Sequence, residues 1–101
     1  MTWALIIRPE AESDVLHAAE WYESRLDGLG ADFLDQVNRL LDSIRRNPRQ
    51  FKVRYEKHSL RWGLVSRFPY KVVYLLKEDT IHVIAVIHAA RHHSVWRKRV
   101  E

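Results

Sequence analysis

The chain has 101 residues and a formal net charge of +4 at pH 7, a length that predicts one domain with one hydrophobic core. Hydrophobic residues make up 47% of the chain, which excludes an intrinsically disordered protein. Cysteine is absent, which excludes a disulfide framework, thiolate catalysis and a cysteine-ligated metal. No apolar run has the length of a secretory signal or of a membrane span, so we expect a cytoplasmic protein.

The charge is divided unevenly along the chain. Residues 1–44 carry three basic and nine acidic side chains, a net charge of −6, whereas residues 45–101 carry fourteen basic and four acidic side chains, a net charge of +10. Such an asymmetry indicates that the second half meets an anionic partner, which is nucleic acid, phosphate or an acidic protein segment. The alternative is a solvated basic surface that only keeps the protein soluble.

The first half of the chain predicts one strand followed by two helices. Residues 3–8 alternate as a strand does, and Pro9 then suits the first turn of a helix, where its missing N–H is no loss. Gly28 is placed to end this first helix. Apolar residues repeating every three or four positions predict a second helix over residues 31–46, which the Asn47-Pro48 pair ends.

The second half predicts strands. A polar loop holds a short strand over Val53–Tyr55, and apolar or alternating runs predict three longer strands at residues 60–66, 70–76 and 80–88. The tail, residues 91–101, is either a short helical turn or frayed. The order β-α-α-β-β-β predicts an α+β fold in which a helical hairpin packs on one face of a mostly antiparallel sheet.

Strand alternation assigns the side chains of these strands to two faces of the sheet. The face under the helices is predicted to carry Trp62, Leu64, Tyr70, Val72, Tyr74, Ile81, Val83, Ala85 and Ile87. The opposite face then carries the polar residues Arg61, Arg67, Lys71 and His88, with Arg91 just beyond the strand end. It also offers apolar surface to a partner helix near Val73, Leu75, Ile84 and Val86. This cationic face, which lacks carboxylates, is the candidate site.

The chemistry of this face is limited. It has no carboxylate cluster for Mg²⁺ and no serine beside a base. The one reaction that its residues favour is metal-independent RNA cleavage by the 2′-hydroxyl, with Lys71 and Arg91 stabilising the phosphate and His88 moving a proton. In the alternative, Lys71 only covers apolar surface with its stem. His92 and His93 match no standard ligand spacing, and we expect neither a metal nor a cofactor.

The tail adds further candidate residues. Trp96 is followed by a run of three basic side chains, and such a tryptophan either stacks on a base or packs the tail back on the sheet. The basic character of this region indicates a surface that meets an anionic partner. The candidate target-binding residues are therefore Arg61, Arg67, Lys71, Arg91, Trp96 and Arg97.

Four segments of the chain resemble one protein family. They are residues 8–14 (Arg-Pro-Glu-Ala-Glu-Ser-Asp), residues 67–74 (Arg-Phe-Pro-Tyr-Lys-Val-Val-Tyr), residues 85–88 (Ala-Val-Ile-His), and Arg91 followed by Trp96 and Arg97. Their order and spacing resemble the plasmid-stabilisation, ParE-type branch of the RelE/ParE superfamily of bacterial type II toxin–antitoxin toxins. The likeness extends over residues 1–101, so we expect one toxin domain.

The resemblance implies a growth-inhibiting toxin that a cognate acidic antitoxin binds and silences. RelE-type members of the superfamily cut mRNA on the ribosome, whereas characterised ParE-type members act on DNA gyrase. Lys71 and Arg91 match positions at which the nucleases have phosphate-stabilising arginines. Trp62 and Leu64, however, fall where the nucleases have catalytic lysines, and Trp96 and Arg97 lie where they have a C-terminal tyrosine.

This pattern favours a ParE-like, non-enzymatic inhibitor of DNA gyrase with no membrane partner. Two alternatives stay open. One is a RelE-like, metal-independent mRNA endonuclease that acts on the ribosome and uses Lys71, His88 and Arg91 as catalytic residues. The other is a non-toxic module that only binds the antitoxin. In each case the antitoxin is expected to lay a helix on the apolar part of the cationic face.

Overall fold

The computed structural model describes residues 3–100, so Met1, Thr2 and the last residue of the predicted tail, Glu101, lie outside the described residues. The elements are, in chain order, β1 (Ala4–Ile7), α1 (Pro9–Arg25), α2 (Leu29–Arg46), β2 (Val53–Tyr55), a 3₁₀ turn (Glu56–His58), β3 (Leu60–Leu64), β4 (Tyr70–Lys77), β5 (Thr80–His88) and α3 (Ser94–Val100). The strands form one sheet in the order β1-β5-β4-β3-β2, with β1 parallel to β5 and the other pairs antiparallel. The predicted α+β class and element order are confirmed.

A short link ties the two long helices together. α1 begins at Pro9, as predicted, and Gly28 lies between the helices with a φ of 88°, in the left-handed region that glycine adopts without strain. α2 begins at Leu29, slightly earlier than predicted. There the carboxylate of Glu23 accepts hydrogen bonds from the backbone N–H groups of Gly28 and Gly30 at 2.9 and 3.0 Å, which satisfies donors that a helix start leaves without partners.

The helical hairpin of α1 and α2 packs on one face of the sheet. Its core draws on both helices and on β4 and β5, and it includes Ala11, Ala18, Phe33, Val37, Ile44, Val72, Tyr74, Ile81, Val83 and Val86. The buried phenol of Tyr74 donates a 2.6 Å hydrogen bond to the carbonyl oxygen of Pro48, which attaches the loop after α2 to the sheet. Within residues 3–100, no helix is long and apolar enough to cross a membrane.

The turn between β3 and β4 reverses the predicted faces of β3. The backbone N–H of Val65 donates to the carbonyl oxygen of Tyr70 at 2.8 Å, so four residues connect the paired positions. An even number of turn residues pairs even-numbered positions of β3 with odd-numbered positions of β4, and directly opposite residues share a face. Trp62 and Leu64, predicted to lie under the helical hairpin, therefore lie on the face of Lys71.

Arg61 is displaced from its predicted face for the same reason. It pairs with Tyr74 and lies on the side of the helical hairpin. Its Nη1 donates a 3.0 Å hydrogen bond to the carbonyl oxygen of Phe51, so the guanidinium holds the loop before β2. The prediction that Arg61 and Lys71 share one cationic face is wrong.

A β-bulge in β5 produces the second departure from the predicted faces. Val73 lies opposite Ala85, but the next residue of β4, Tyr74, lies opposite Val83, so Ile84 is an extra residue in β5. A bulge of one residue reverses the alternation of the side chains that follow it. The residues whose predicted face is therefore wrong are Ala85, Val86, Ile87 and His88.

α3 covers the face of the sheet that the helical hairpin leaves open. Its Trp96 is 4% exposed and packs with a second core cluster, which comprises Leu60, Val73, Leu75, Ile84, Ala85 and Ile87. Two roles were predicted for Trp96, and the structure shows the one in which it packs the tail on the sheet. The tail was predicted to be either helical or frayed, and it is helical over Ser94–Val100. The face predicted to receive a partner helix is covered by the chain's own helix.

An ion pair at the edge of β5 joins these layers. β5 is longer than β1, so part of its edge has no neighbouring strand. There Asp14 of α1 accepts a 3.0 Å hydrogen bond from the N–H of Val86, and Arg99 of α3 donates a 3.0 Å hydrogen bond to the carbonyl oxygen of Ile84. The two side chains are largely buried and bond each other at 2.6 and 3.1 Å, which raises the pKa of the Arg99 guanidinium. We call this pair the Asp14–Arg99 clamp.

We expect Asp14→Ala to lower the free energy of unfolding by about 2–3 kcal/mol, because it leaves a largely buried guanidinium and a backbone N–H without their partner. Urea denaturation followed by circular dichroism measures the loss. The matched control is Asp35→Ala, which breaks the exposed Asp35–Arg39 pair and is expected to cost about 0.5 kcal/mol or less. Equal losses in the two variants would contradict the structural role of the clamp.

Candidate target-binding surface

Lys71 lies in β4 on the face covered by α3 and is 6% exposed. Its ammonium nitrogen lies 4.2 Å from the centre of the Trp62 ring, a position in which the face of an indole attracts a cation. Its neighbours across the strands are Leu64 and Ile87. Burial, together with the nearby charge of Arg54, holds the pKa of Lys71 below its usual range.

These neighbours of Lys71 are unsuited to proton transfer. Trp62, Leu64 and Ile87 carry no acidic or basic side chain, and the fourth neighbour, Arg54, is an arginine whose guanidinium lies 4.9 Å from the centre of the Trp62 ring. A general acid or base has to gain and lose a proton within hydrogen-bonding reach of the reacting group. None of these four neighbours of Lys71 therefore serves as a proton carrier.

Two of the predicted target-binding residues are held within the fold. Arg61 donates its hydrogen bond to Phe51, as described above. The ring of Trp96 is buried, with its centre 5.5 Å from that of Tyr55 and 6.0 Å from that of Trp62. Both side chains therefore fix loops and α3 to the sheet, with Trp96 buried and Arg61 partly buried.

Three of the predicted arginines remain accessible. Arg67 is exposed in the β3–β4 turn, where its φ is 71°. Arg91 is exposed just beyond β5. Arg97 on α3 is half-buried, with its guanidinium carbon 4.8 Å from the centre of the Tyr55 ring. These are the predicted cations that a large anionic partner can reach.

The structure brings His88 and Arg91 together and separates them from Lys71. After the bulge, His88 ends β5 on the side of the helical hairpin, with its ring centre 5.7 Å from that of Tyr70. The N–H of Arg91 donates a 2.9 Å hydrogen bond to the carbonyl oxygen of His88, and both side chains border a cavity of about 300 Å³. The sheet lies between this cavity and Lys71, so the three predicted catalytic residues do not form one site.

Two residues of α1 that border this cavity were not predicted as site residues from the sequence. They are His17 and Trp21, both of which are exposed. Their spacing of four residues, which places them on one face of a helix, was the signal that could have found them. Within residues 3–100, no three His, Asp or Glu side chains form a group that could hold a metal ion.

We expect Lys71→Met to keep or raise the stability at neutral pH by up to about 1 kcal/mol, since it replaces a buried charge by an apolar side chain of similar length. The pKa of Lys71 is lower in the folded than in the unfolded protein. The cost of burying the charge is therefore removed as the pH rises through the folded-state pKa. The stability difference between Lys71→Met and the wild type should thus shrink as the pH approaches 10.5, as denaturation at a series of pH values would measure.

Lys71→Ala is the comparison variant for this experiment. It removes the same charge but leaves a cavity, so it should be less stable than Lys71→Met. An advantage of the wild type over Lys71→Met that falls with rising pH would show that the surroundings stabilise the cation, and would contradict the expected lowering of its pKa.

Comparison with known proteins relates the chain to bacterial toxins. A family model described as "ParE toxin of type II toxin-antitoxin system, parDE" matches residues 5–93. A solved structure of the chromosomal ParDE system from P. aeruginosa is 16% identical with a TM-score of 0.72, and the match covers 86% of this chain and 96% of that chain. The isolated E. coli RelE toxin is 20% identical with a TM-score of 0.65, covering 98% and 99%. A double mutant of E. coli RelE in the free state is 16% identical with a TM-score of 0.61, covering 99% and 96%.

At these identities the solved structures show that the fold is shared. No match is found among curated proteins. The family model, in contrast, extends over most of the chain, from the second residue of β1 to the residue before α3. This protein therefore belongs to the ParE toxin family of type II toxin–antitoxin systems.

Proposed function

We propose that this toxin inhibits DNA gyrase by binding it, without cutting RNA, and that a cognate acidic antitoxin neutralises it. The observation that supports a non-nucleolytic toxin best is the burial of Lys71 against Trp62, with the sheet between it and His88. RNA cleavage by the 2′-hydroxyl needs a phosphate-stabilising cation and a proton carrier at the same bond. Here these two groups lie on opposite faces.

The surroundings of Lys71 also support the ParE-like interpretation. Trp62 and Leu64 stand at the positions where the RelE-type nucleases are expected to have catalytic lysines, and both share the face of Lys71. Two apolar side chains therefore replace two cations that would act on the phosphate. Gyrase is the target on which the characterised ParE-type members act, and we carry it over to this chain from the family resemblance.

The contact with the target is proposed to use the accessible arginines, namely Arg67, Arg91 and Arg97. They belong to the half of the chain whose net charge is +10, and charge of one sign steers an oppositely charged partner towards its binding surface. The same charge favours an antitoxin whose binding segment is acidic. Charge complementarity of this kind speeds association and makes its rate fall with ionic strength.

The proposed target is tested by assaying the purified toxin in two reactions side by side. One is DNA supercoiling by gyrase, and the other is cleavage of mRNA on translating ribosomes. We expect supercoiling to fall with increasing toxin concentration and the mRNA to stay intact, because Lys71 and His88 lie on opposite faces of the sheet.

Two other results would overturn this proposal. Codon-positioned mRNA cuts that disappear in both Lys71→Ala and Arg91→Ala would establish the RelE-like endonuclease. A soluble, well-expressed toxin that affects neither reaction, and that leaves growth unchanged when no antitoxin is present, would indicate a module that only binds the antitoxin.

Arg97→Ala tests the proposed contact surface. We expect about a fivefold higher concentration of this variant for half-maximal gyrase inhibition, the effect of losing one charged contact worth about 1 kcal/mol. The matched control is Arg46→Ala, which removes an exposed arginine at the end of α2 and should inhibit as the wild type does. Equal losses in both variants would show that total charge, rather than this surface, determines the inhibition.

A further inference from the structure

A groove between α1 and the end of β5 combines exposed rings with cations. It consists of two adjoining cavities of about 300 and 290 Å³, which are close to the lower end of the range for ligand pockets. Trp21, Tyr70 and His88 border both cavities and form their common wall. We call this feature the α1–β5 groove.

The smaller cavity of the groove, of about 290 Å³, is aromatic. Trp21 is 52% exposed, an unusual exposure for a side chain that is mostly buried in folded proteins. Its ring packs edge-on against Tyr22 with the centres 5.1 Å apart, and the guanidinium carbon of Arg25 lies 4.6 Å from its centre. Tyr70 is held between the rings of Tyr22 and His88 at 6.0 and 5.7 Å. The rings are thus fixed by their neighbours, and the indole of Trp21 presents much of its surface to solvent.

The larger cavity of the groove, of about 300 Å³, is polar and carries the charge of Arg91. It is bordered by the exposed side chains of His17, His88 and Arg91. The carboxylate of Asp14 also borders it, but this group is neutralised by its two hydrogen bonds with Arg99. The acidic side chains on the other flank of His17 border a separate cavity and are Glu12 and Glu20.

We propose that the α1–β5 groove binds single-stranded nucleic acid, with a base stacked on the ring of Trp21 and the adjoining phosphate held by Arg91. Aromatic side chains beside a cationic track are the combination by which proteins bind single strands without reading their sequence. The accessible wall is aromatic, while the one aliphatic side chain of β5 that faces the groove, Val86, is buried. This favours a nucleotide over an acidic peptide, which would need aliphatic surface for its apolar residues.

The groove lies on the opposite face of the sheet from Lys71. The groove is therefore separate from the nuclease-like residues, and it binds a strand without cleaving it. This binding also goes beyond gyrase inhibition, since it adds a strand of DNA or RNA to the partners of the toxin. Neither a positive nor a negative gyrase assay decides whether the groove binds nucleic acid, which needs a separate experiment.

The test is binding of the full chain to fluorescein-labelled oligothymidylate and oligouridylate, followed by fluorescence anisotropy at several salt concentrations. We expect saturable binding that weakens with salt, because phosphate contacts release counterions. Trp21→Ala should weaken it about tenfold or more, the contribution of one base–aromatic stack, and Arg91→Ala should weaken it and reduce its salt dependence. Arg46→Ala is the matched charge control and should bind as the wild type does. Circular dichroism melts confirm that each variant is folded.

The outcomes separate the alternatives. Preference for thymidylate or for uridylate identifies DNA or RNA as the source of the strand, and either supports the groove. Equal losses in Arg91→Ala and Arg46→Ala, with no effect of Trp21→Ala, would show only non-specific attraction and would overturn the proposal. Displacement of the oligonucleotide by a polyglutamate peptide whose own binding depends on Trp21 would identify an acidic-peptide site and would overturn it as well.

Discussion

The Asp14–Arg99 clamp is the interaction on which the arrangement of the layers depends. β5 extends past β1, and the backbone groups on its free edge need partners, since an unpaired buried N–H or C=O costs as much as a lost hydrogen bond. Asp14 and Arg99 supply these partners to Val86 and Ile84 and bond each other. Because one residue comes from α1 and the other from α3, a single ion pair fixes a helix on each face to the same strand.

The bulge at Ile84 determines which basic side chains lie on the same face of the sheet. Along an unbroken strand, alternation would place His88 on the other face of the sheet. With the extra residue, His88 joins Arg91, His17 and Trp21 beside α1, while Lys71 stays with Trp62 under α3. The sheet therefore separates the basic residues into a buried set and an accessible set. One inserted residue is thus enough to place Lys71 and His88, which would have to act together in RNA cleavage, on opposite faces of the sheet.

The fold could be predicted from the sequence because its signals are local: the apolar repeat of α2, Pro9 at the start of α1, and the alternating or apolar runs of the strands. The face of the sheet on which each strand residue lies could not be predicted, because it depends on how strands that are distant in the sequence pair. The four-residue turn that reverses β3 contains Pro69, but one proline marks a turn without specifying its length, and the bulge at Ile84 lies within an unbroken apolar run. Arg61 of β3 and His88 of β5 were misplaced with those faces, and His17 and Trp21 were missed because α1 was interpreted only through its buried side.

The pairing of β1 with β5 bears on the order in which the molecule is assembled during synthesis. α1 and α2 are adjacent in the chain and can pack soon after they leave the ribosome. β1, however, has to wait for a strand from the far end of the chain, and closing so long a loop makes the pairing slow. Arg99 emerges later still, so the sheet edge stays unfinished until α3 has been made. The architecture therefore leaves the edge of β5 incomplete until α3 is present, whereas the contacts between α1 and α2 need only the first half of the chain.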